Sequence, residues 1–529
     1  MNDTPQNGAK RQSGRRILFW LSCLALLVVF IVLALNWSGK SLWENYRRQW
    51  EAKGEQFDFA SFVPKPVPDD RNFARAPIVA SCYGGYLGTN GDVIAISPPD
   101  TNVVDRLKLE IYGDNRLVEM PTNGLGSWTR GLTSDLKVWQ NYYRALAART
   151  NLFPVPPQPR SPAADVLLAL SKYDSAIEEL RLAGRRPESR FPLNYESDRP
   201  SEILLPHLAM LKRCSQTLQL RAMAELQNGQ SGQAMDDVKL MLRLTDSIRS
   251  EPFIISHLVR IAMVQMTLQP VWEGLAGHKW SDAQLVELDR ELARLDFLAD
   301  YKFSMRGERA GSIATIEHLR RKRDFQEMIT ADNDTSGNNS EDPLRGVAEA
   351  TYHLIPASIF YQNELTIARM HQQLLLPIVD VERRIASPDT ARKSEATMTA
   401  EFSHFSINTI FARLLLPAFT KAVIKYAYAQ SAVDVARVAG ALERYRLAQG
   451  EYPASLEALS PRFMEKIPHD IINGEPLHYH RTVNGKFLLY SVGWNGTDDN
   501  GVVVLNRFGR MIDLAQGDWV WPGAISGSQ

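Results

Sequence analysis

The sequence predicts a mainly α protein with a single N-terminal transmembrane helix, an all-α helical body and a small α+β module at the C-terminus that carries an antiparallel hairpin. Three observations predict it. Residues Ile17 to Leu35 contain no charge. Between residues 134 and 325 apolar side chains recur at spacings of three and four, as in Leu204, Leu205, Leu208 and Leu211, and again in Val238, Met241 and Leu242. Near the C-terminus the period changes to two, with Leu477 and Tyr479 before an Asn484-Gly485 turn and Leu488, Tyr490 and Val492 after it.

The apolar run comes first. At about 1.5 Å per residue it spans roughly 28 Å, close to the hydrocarbon thickness of a bilayer. In lipid an isolated segment satisfies its backbone only as a helix. The run is too long for the apolar core of a cleaved signal peptide, and no small-x-small site ends it. Trp20-Leu21-Ser22 before Cys23 makes a poor lipidation box. The segment 17–36 therefore reads as an uncleaved anchor behind a basic tail, 1–16. Trp43, Tyr46 and Trp50 share one helical face, which suits an aromatic belt at the membrane interface. Lys10, Arg11, Arg15 and Arg16 before the span are matched by Lys40, Arg47, Arg48 and Lys53 after it. Long domains translocate largely regardless of charge, so the expected placement is the cell inner membrane, single-pass, with a cytoplasmic N-terminus and an extracytoplasmic (periplasmic) body.

The chain has 529 residues, room for two to four domains. Lys+Arg and Asp+Glu are both 60, and a net charge of zero gives no global basic field, so no nucleic-acid partner is expected. Three cysteines are too few for a disulfide scaffold or a structural zinc site. Cys82 and Cys214 either pair or stand as two thiols, at least partly buried.

Residues 37–133 read as a juxtamembrane helix followed by an extended and looped region. Pro64, Pro66, Pro68 and Pro77 keep it out of helix, and Val93-Ile94-Ala95-Ile96 and Leu107 to Ile111 are its short strands. The helical body covers 134–404. Its breaks fall at Pro154-Val155-Pro156-Pro157, Pro187, Asn228-Gly229 and Pro252. The stretch Ala224 to Gln230 resembles the turn of a helical-hairpin repeat, without a second copy at a fixed period. A polar, low-complexity mobile loop is expected at 331–342. Further helices are expected at 344–386 and 405–449; Arg413, Pro417, Lys421 and Lys425 argue against a second span in the last.

Residues 405–529 hold a long helix and then the C-terminal module. The helix ends through Leu442 and Tyr445, where Gly450 can take a left-handed cap and Pro453 blocks continuation. Leu456, Leu459 and Phe463 mark a short helix. A loop follows with Pro468, Asp470, Gly474 and Pro476, then the hairpin, then the polar loop from Gly493 to Gly501. In order and approximate spacing, Leu442, Tyr445, Gly450, Tyr452, Pro453, Pro468, Asp470, Gly474, Pro476, Tyr479, Leu489, Tyr490, Ser491, Gly493, Asp498 and Asp499 make the stretch 432–510 resemble the C-terminal domain of the type II secretion system major pseudopilin. The rest of the chain departs from that family. Gly14 is followed by Arg15-Arg16 where a prepilin-peptidase motif would place Phe, the apolar run has no glutamate, and a large helical body intervenes. The resemblance thus implies a borrowed module and not a filament subunit. It also implies calcium in the acidic loop, with Asn495, Asp498 and Asp499 supplying side-chain oxygens and the backbone between Leu489 and Val492 supplying carbonyls. The residues alone equally allow a solvated turn in which Asp498 and Asn500 make local bonds.

Other patterns carry little chemistry. His478 and His480 share a strand face but lack further ligands. Asp332-x-Asp334-x-Ser336-Gly337 begins like an EF loop, yet Pro343 stands where the bidentate glutamate belongs. Gly39-Lys40-Ser41 lacks the leading glycine of a phosphate loop, and Gly124-Leu125-Gly126-Ser127 is neither a dinucleotide fingerprint nor a nucleophile elbow. Asp236-Asp237 and Glu178-Glu179 point to different sides of a helix. Arg320, Arg321, Lys322 and Arg323 form a basic cluster that either touches anionic lipid or acidic partners or is a solvated helix face. The expected function is a non-enzymatic, membrane-anchored scaffold or binding protein with a protein partner. The alternatives are a secretion-system component and an extracytoplasmic enzyme whose groups meet only on folding. A deep pocket with convergent ionisable groups of shifted pKa would favour the enzyme.

Overall fold

The computed structural model describes residues 7–80, 86–87, 93–94, 107–121, 124–322, 355–404, 406–415, 421–483, 485–509 and 511–523. The fold is mainly helical, at 59%, and the sheets among the described residues are small and antiparallel. Helix α1 runs unbroken from Asn7 to Glu51. Its apolar stretch, long and apolar enough to cross a membrane, is exposed from Leu18 to Leu35 apart from half-exposed Cys23 and Val32. Beyond Leu35 the same helix packs on the body. The expected aromatic belt does not form there: Trp43 is buried, with Phe57 edge-on against it, and Tyr46 and Trp50 pack against the same core. An aromatic face at this spacing fits a protein surface as well as a lipid interface, and the partner helix takes it.

After α1 the chain is extended around Pro64, Pro66 and Pro68, with short 3-10 turns at Phe59–Phe62 and Phe73–Arg75; Pro77, expected to keep the chain out of helix, instead opens one α-helical turn, Pro77–Ala80, because the first helical position needs no N–H. Val93–Ile94 (β2) pairs with Tyr86–Leu87 (β1). The expected strand at 107–111 is absent. Leu107, Leu109 and Ile111 are buried, but side chains satisfy the backbone: Tyr173 Oη bonds both the N–H and the carbonyl of Glu110, while Tyr143 Oη and Thr217 Oγ1 donate to the carbonyls of Ile111 and Leu109. Hydrophobic alternation specifies burial here and not a ladder partner.

The body contains helices α2 (Leu136–Ala147), α3 (Pro162–Leu170), α4 (Asp174–Gly184), α5 (Pro206–Gln227), α6 (Ser231–Asp246), α7 (Ile254–Ala276), α8 (Asp282–Leu292), α9 (Phe297–Lys322) and α10 (Ala357–Met370). The helix breaks fall where proline and Asn-Gly place them, and Gly229 takes φ +79° in the α5–α6 turn. Cys214 is buried on α5 among core side chains; Cys82 lies outside the described residues, as do the loop 331–342, the Asp332 motif and Arg323. Asp237 is buried between Arg181 and Arg221, and Glu225 pairs with the same Arg221, so this acid ties α4, α5 and α6 together.

The single helix expected to 386 ends early. Helix α10 runs on into a π turn, His371–Leu375, and a 3-10 turn, Leu376–Ile378, where Pro377 sits, and Val379–Asp380 (β3) then pairs with Ile385–Ala386 (β4) around Arg384 at φ +52°. A tertiary contact fixes this hairpin: the Ala386 N–H donates to the Ile471 carbonyl at 2.7 Å. Helix α11 (Pro388–Glu401) then starts with a Ser387 cap, and the segment expected as one helix over 405–449 contains α12 (Ile410–Leu415) and α13 (Val423–Gln449).

Helix directions set the geometry. The Asn36 Oδ1 accepts from the Ser358 N–H at 2.9 Å, and Arg47 and Tyr46 farther along α1 feel Glu364 and Arg369 of α10, so α10 runs parallel to α1. Helix α9 runs opposite, with Arg320 at Tyr361 and Glu364 and Arg309 at Gln372. Helix α13 opposes α9: Tyr426 meets Ser304, and Gln430 accepts from the Phe297 N–H.

The module grows out of α13. Gly450 caps it at φ +86°, as the sequence indicates. His478–Arg481 (β5) pairs with Phe487–Ser491 (β6), and β6 pairs on its other edge with Trp519–Trp521 (β9), a strand the sequence does not reveal. Val503–Leu505 (β7) and Ile512–Gly517 (β8) form a second hairpin. The expected alternation in β6 gives way to burial of Leu489, Tyr490, Ser491 and Val492 alike, because β6 is the central strand. One hydrophobic cluster runs from Trp43 and Phe57 through α7, α9, α10 and α13 to Leu489, Trp519 and Trp521.

Candidate functional site

The acidic loop follows β6. Asp498 accepts from Tyr490 Oη at 3.1 Å and from the Asn500 N–H at 2.9 Å, and lies 3.4 Å from His478 Nδ1, whose ring stacks on Tyr490. Asn495 donates its amide to Asp499 Oδ2 at 2.7 Å and accepts from the Thr497 N–H. Sequence reasoning missed Asp518, at the start of β9. Its carboxylate accepts from the Asp499 and Gly501 N–H groups and so closes the loop. Burial pushes the Asp518 carboxyl up, and the nearby Asp499 and Asp498 charges push it the same way. Asn495 and Asp499 thus bond each other while Asp498 turns to Tyr490 and His478, and no cluster of three or more His, Cys, Asp or Glu among the described residues is arranged to hold a metal ion.

Asp470, in the turn before the hairpin, accepts from Ser491 Oγ at 2.9 Å and from the Ile472 and Val492 N–H groups at 3.0 and 2.9 Å. It is buried, and burial raises its pKa against those three bonds. Its work is to tie the turn that precedes β5 to the end of β6.

A cavity of about 330 Å³ opens between α7, the end of α13 and the module. Trp272, Tyr452, Phe487 and Trp521 supply its apolar walls; His278, Glu443, Arg446 and Lys486 supply its ionisable groups. The Trp272 Nε1–H donates to the Pro522 carbonyl and holds the end of β9 against α7. The Glu443 carboxylate is fully occupied: His278 Nδ1 at 2.8 Å, Arg446 Nη2 at 2.7 Å and Nε at 2.8 Å, and Tyr452 Oη at 3.0 Å. Burial raises the Glu443 pKa, and the Arg446 and His278 bonds outweigh it, so the group sits below the ordinary carboxylate range. Glu443 raises Arg446 in turn, and burial with the Glu443 charge raises the Tyr452 phenol. Each of these three shifts fixes the ordinary charge state at neutral pH, which suits holding a shape or a ligand better than exchanging a proton. No sequence signal marks this cavity, because its residues come from positions 272 to 523.

A smaller cavity of about 180 Å³ lies between the 3-10 turn at Phe59, residues 200–205 and α9. Glu308 lines it, accepting from the Ile254 N–H at 2.7 Å, and burial pushes its pKa up to about 7. General acid–base chemistry would need a second group; the cavity otherwise offers hydroxyls of Ser201, Ser312 and Thr315. Comparison of the chain with protein-family models, with curated proteins and with solved structures found no match in any of the three.

Proposed function

We propose that this chain is a non-enzymatic scaffold or binding protein, anchored by α1 in the inner membrane with its N-terminus cytoplasmic and its body extracytoplasmic, and that it engages a protein partner. The supporting observation is the continuity of α1. One helix passes from an apolar stretch of bilayer length into the buried Trp43 without a break. A cleavable leader would gain nothing from that continuity, whereas an anchor uses it to fix the body at the surface. Full-length protein should stay in the membrane pellet after alkaline carbonate extraction and carry its intact N-terminal mass. Release into the aqueous fraction with the N-terminus uncut would sink the reading, and a mass lacking the first residues would make the segment a leader.

A second reading attaches to the acidic loop. Burial raises the Asp518 carboxyl first and the Asp499 and Asp498 charges add to it, so three carboxylates lie close enough in this loop for a divalent cation to relieve their repulsion. On this reading the module resembles the pseudopilin domain in ligand as well as in residue order, with Asn495, Asp498 and Asp499 around calcium. Calcium should then raise the thermal midpoint of the wild type and leave an Asp498→Ala, Asp499→Ala double variant unmoved. An equal response in both removes calcium from the loop. Co-purification from solubilised membranes, with and without chelator, would identify the partner and would reveal secretion machinery if the chain serves it.

A further inference from the structure

The end of the body nearest the apolar stretch of α1 has a composition that the scaffold reading does not use. Parallel α10 begins there. Its Ser358 N–H bonds Asn36, the first residue past the apolar run, and an added Cβ on Gly39 would sit 3.1 Å from Ser358 Cα. Ser358 therefore marks the height at which α1 leaves the apolar zone. Distances above it follow from a rise of about 1.5 Å per residue along α10: Phe360 is about 3 Å up, Tyr361 about 4.5 Å and Asn363 about 7.5 Å.

Two elements meet α10 within that interval. The segment before and into α12 docks on it: the Ile407 carbonyl accepts from Asn363 Nδ2 at 3.2 Å, the Phe411 N–H donates to Asn363 Oδ1 at 3.0 Å, and the Phe411 ring stacks on Phe360. Ile407 and Ile410, one helical turn apart, remain 45% and 41% exposed, beside exposed Arg413. The C-terminus of antiparallel α9 comes down to the same height. Arg320 lies over the Tyr361 ring, and exposed Arg321 and Lys322 extend past it toward the apolar zone. Among the described residues the acids in this patch are Asp198, paired with Arg321 and His318, and Glu317 and buried Glu364, both paired with Arg320. The balance of those described residues is basic. The headgroup layer on each side of the hydrocarbon is about 5–7.5 Å deep, so the turn of α10 from Ser358 to Asn363 and the side chains that meet it lie at that depth when α1 is inserted.

We infer that Arg321, Lys322, Ile407, Ile410 and Arg413 form a bilayer-binding face, which seats the body on anionic phospholipid headgroups with the isoleucines at the acyl boundary. This rests on the reading of α1 as an anchor. Apolar side chains flanked by cations at headgroup depth are what an interfacial element requires, and continuity with α1 supplies the occupant.

The test uses the full-length chain in vesicles of phosphatidylethanolamine and phosphatidylglycerol, with the photo-crosslinking residue benzoylphenylalanine at one position at a time. Position 27, inside the apolar stretch, reports the anchor. Position 410 reports the proposed face. Position 483, a fully exposed site on the module hairpin, is the background. Phospholipid adducts are read by mass spectrometry. Adducts at 27 and 410 but not at 483 are expected. A Lys322→Gln, Arg413→Gln pair should lower the adduct at 410 at least about fivefold, since each basic residue near an anionic surface contributes about 1 kcal/mol. Adducts at 27 with 410 at the level of 483 overturn this inference and leave the anchor standing. No adduct at 27 overturns the anchor reading instead. An adduct at 410 that ignores both charge substitutions overturns the anionic-headgroup half of the claim.

Discussion

Asp470 and Glu55 illustrate two ways in which one carboxylate holds distant chain together. Asp470→Ala would strand one hydroxyl and two backbone donors in a buried turn. Unsatisfied buried donors cost about 1–3 kcal/mol each, and partial relaxation should leave a loss of about 3 kcal/mol, read as a shift in the denaturation midpoint. Asp470→Asn, which keeps one acceptor oxygen, should lose less. Glu55 joins the chain just after α1 to α9 through Arg306 at 2.7 Å and buried Arg309 at 2.8 Å. Burial raises its pKa, but the Arg306 and Arg309 bonds prevail and bring it from 4.5 to about 2. A depressed folded-state pKa means stability that is fully present above pH 4.5 and is lost as pH falls toward 2. The wild type should therefore lose roughly 2 kcal/mol across that window, after allowance for solvent screening, and Glu55→Gln should be less stable at neutral pH but flatter between pH 4.5 and 2. Neither role is legible in the sequence. Asp470 reads as a loop residue because its partners are two and about twenty positions away, and Glu55 reads as a surface charge because Arg306 is 251 residues distant.

Helix α1 teaches a different lesson about legibility. Its apolar run, its length and its unbroken course past Leu35 follow directly from the absence of charge and of proline. What the aromatic face of Trp43, Tyr46 and Trp50 packs against does not follow, because lipid interface and protein surface reward the same amphipathic spacing. The hairpin at Val379–Ala386 is hidden for a related reason: its two-residue strands are held by the Ile471 carbonyl from the module, a contact with no local signal. The α1–α10 seam can be tested separately. Trp43→Ala should cost about 3–4 kcal/mol if no neighbour fills the gap. It should also speed proteolysis in the chain around Gly54, because that segment is held between α1 and α9. Gly39→Leu should weaken the same seam by pressing on Ser358, with Gly39→Ala milder, both read by the same cleavage rate.

The hydrophobic cluster that unites body and module makes them one cooperative unit. Trp128 stacks on Tyr428 of α13 and packs on Trp521, and Trp519 meets Tyr428 edge-on. Cutting the chain after Gln449 would uncover these rings and the apolar face of α13. A 1–449 fragment should therefore aggregate or unfold well below the full chain's midpoint, by size-exclusion chromatography and calorimetry; a fragment as stable as the whole would show the module to be an independent appendage. The resemblance that the sequence carries in residues 432–510 gave no hint of this shared core. Alternation and turn residues report how a module folds, while Trp519 and Trp521 lie beyond the polar loop where no periodicity announces a strand.

Helices α9 and α13, end to end, carry the module far from the apolar stretch of α1: 23 residues separate Arg320 from Phe297 and 19 separate Gln430 from Gln449, roughly 60 Å in all if both stand near the axis of α1. Because α1 has no hinge between its apolar stretch and Trp43, tilt of one is tilt of the other. A spanning helix leans to match the thickness of its bilayer. Each 10° of lean would swing the module sideways by roughly 10 Å, so the lateral reach of the far end would be set by the local lipid composition.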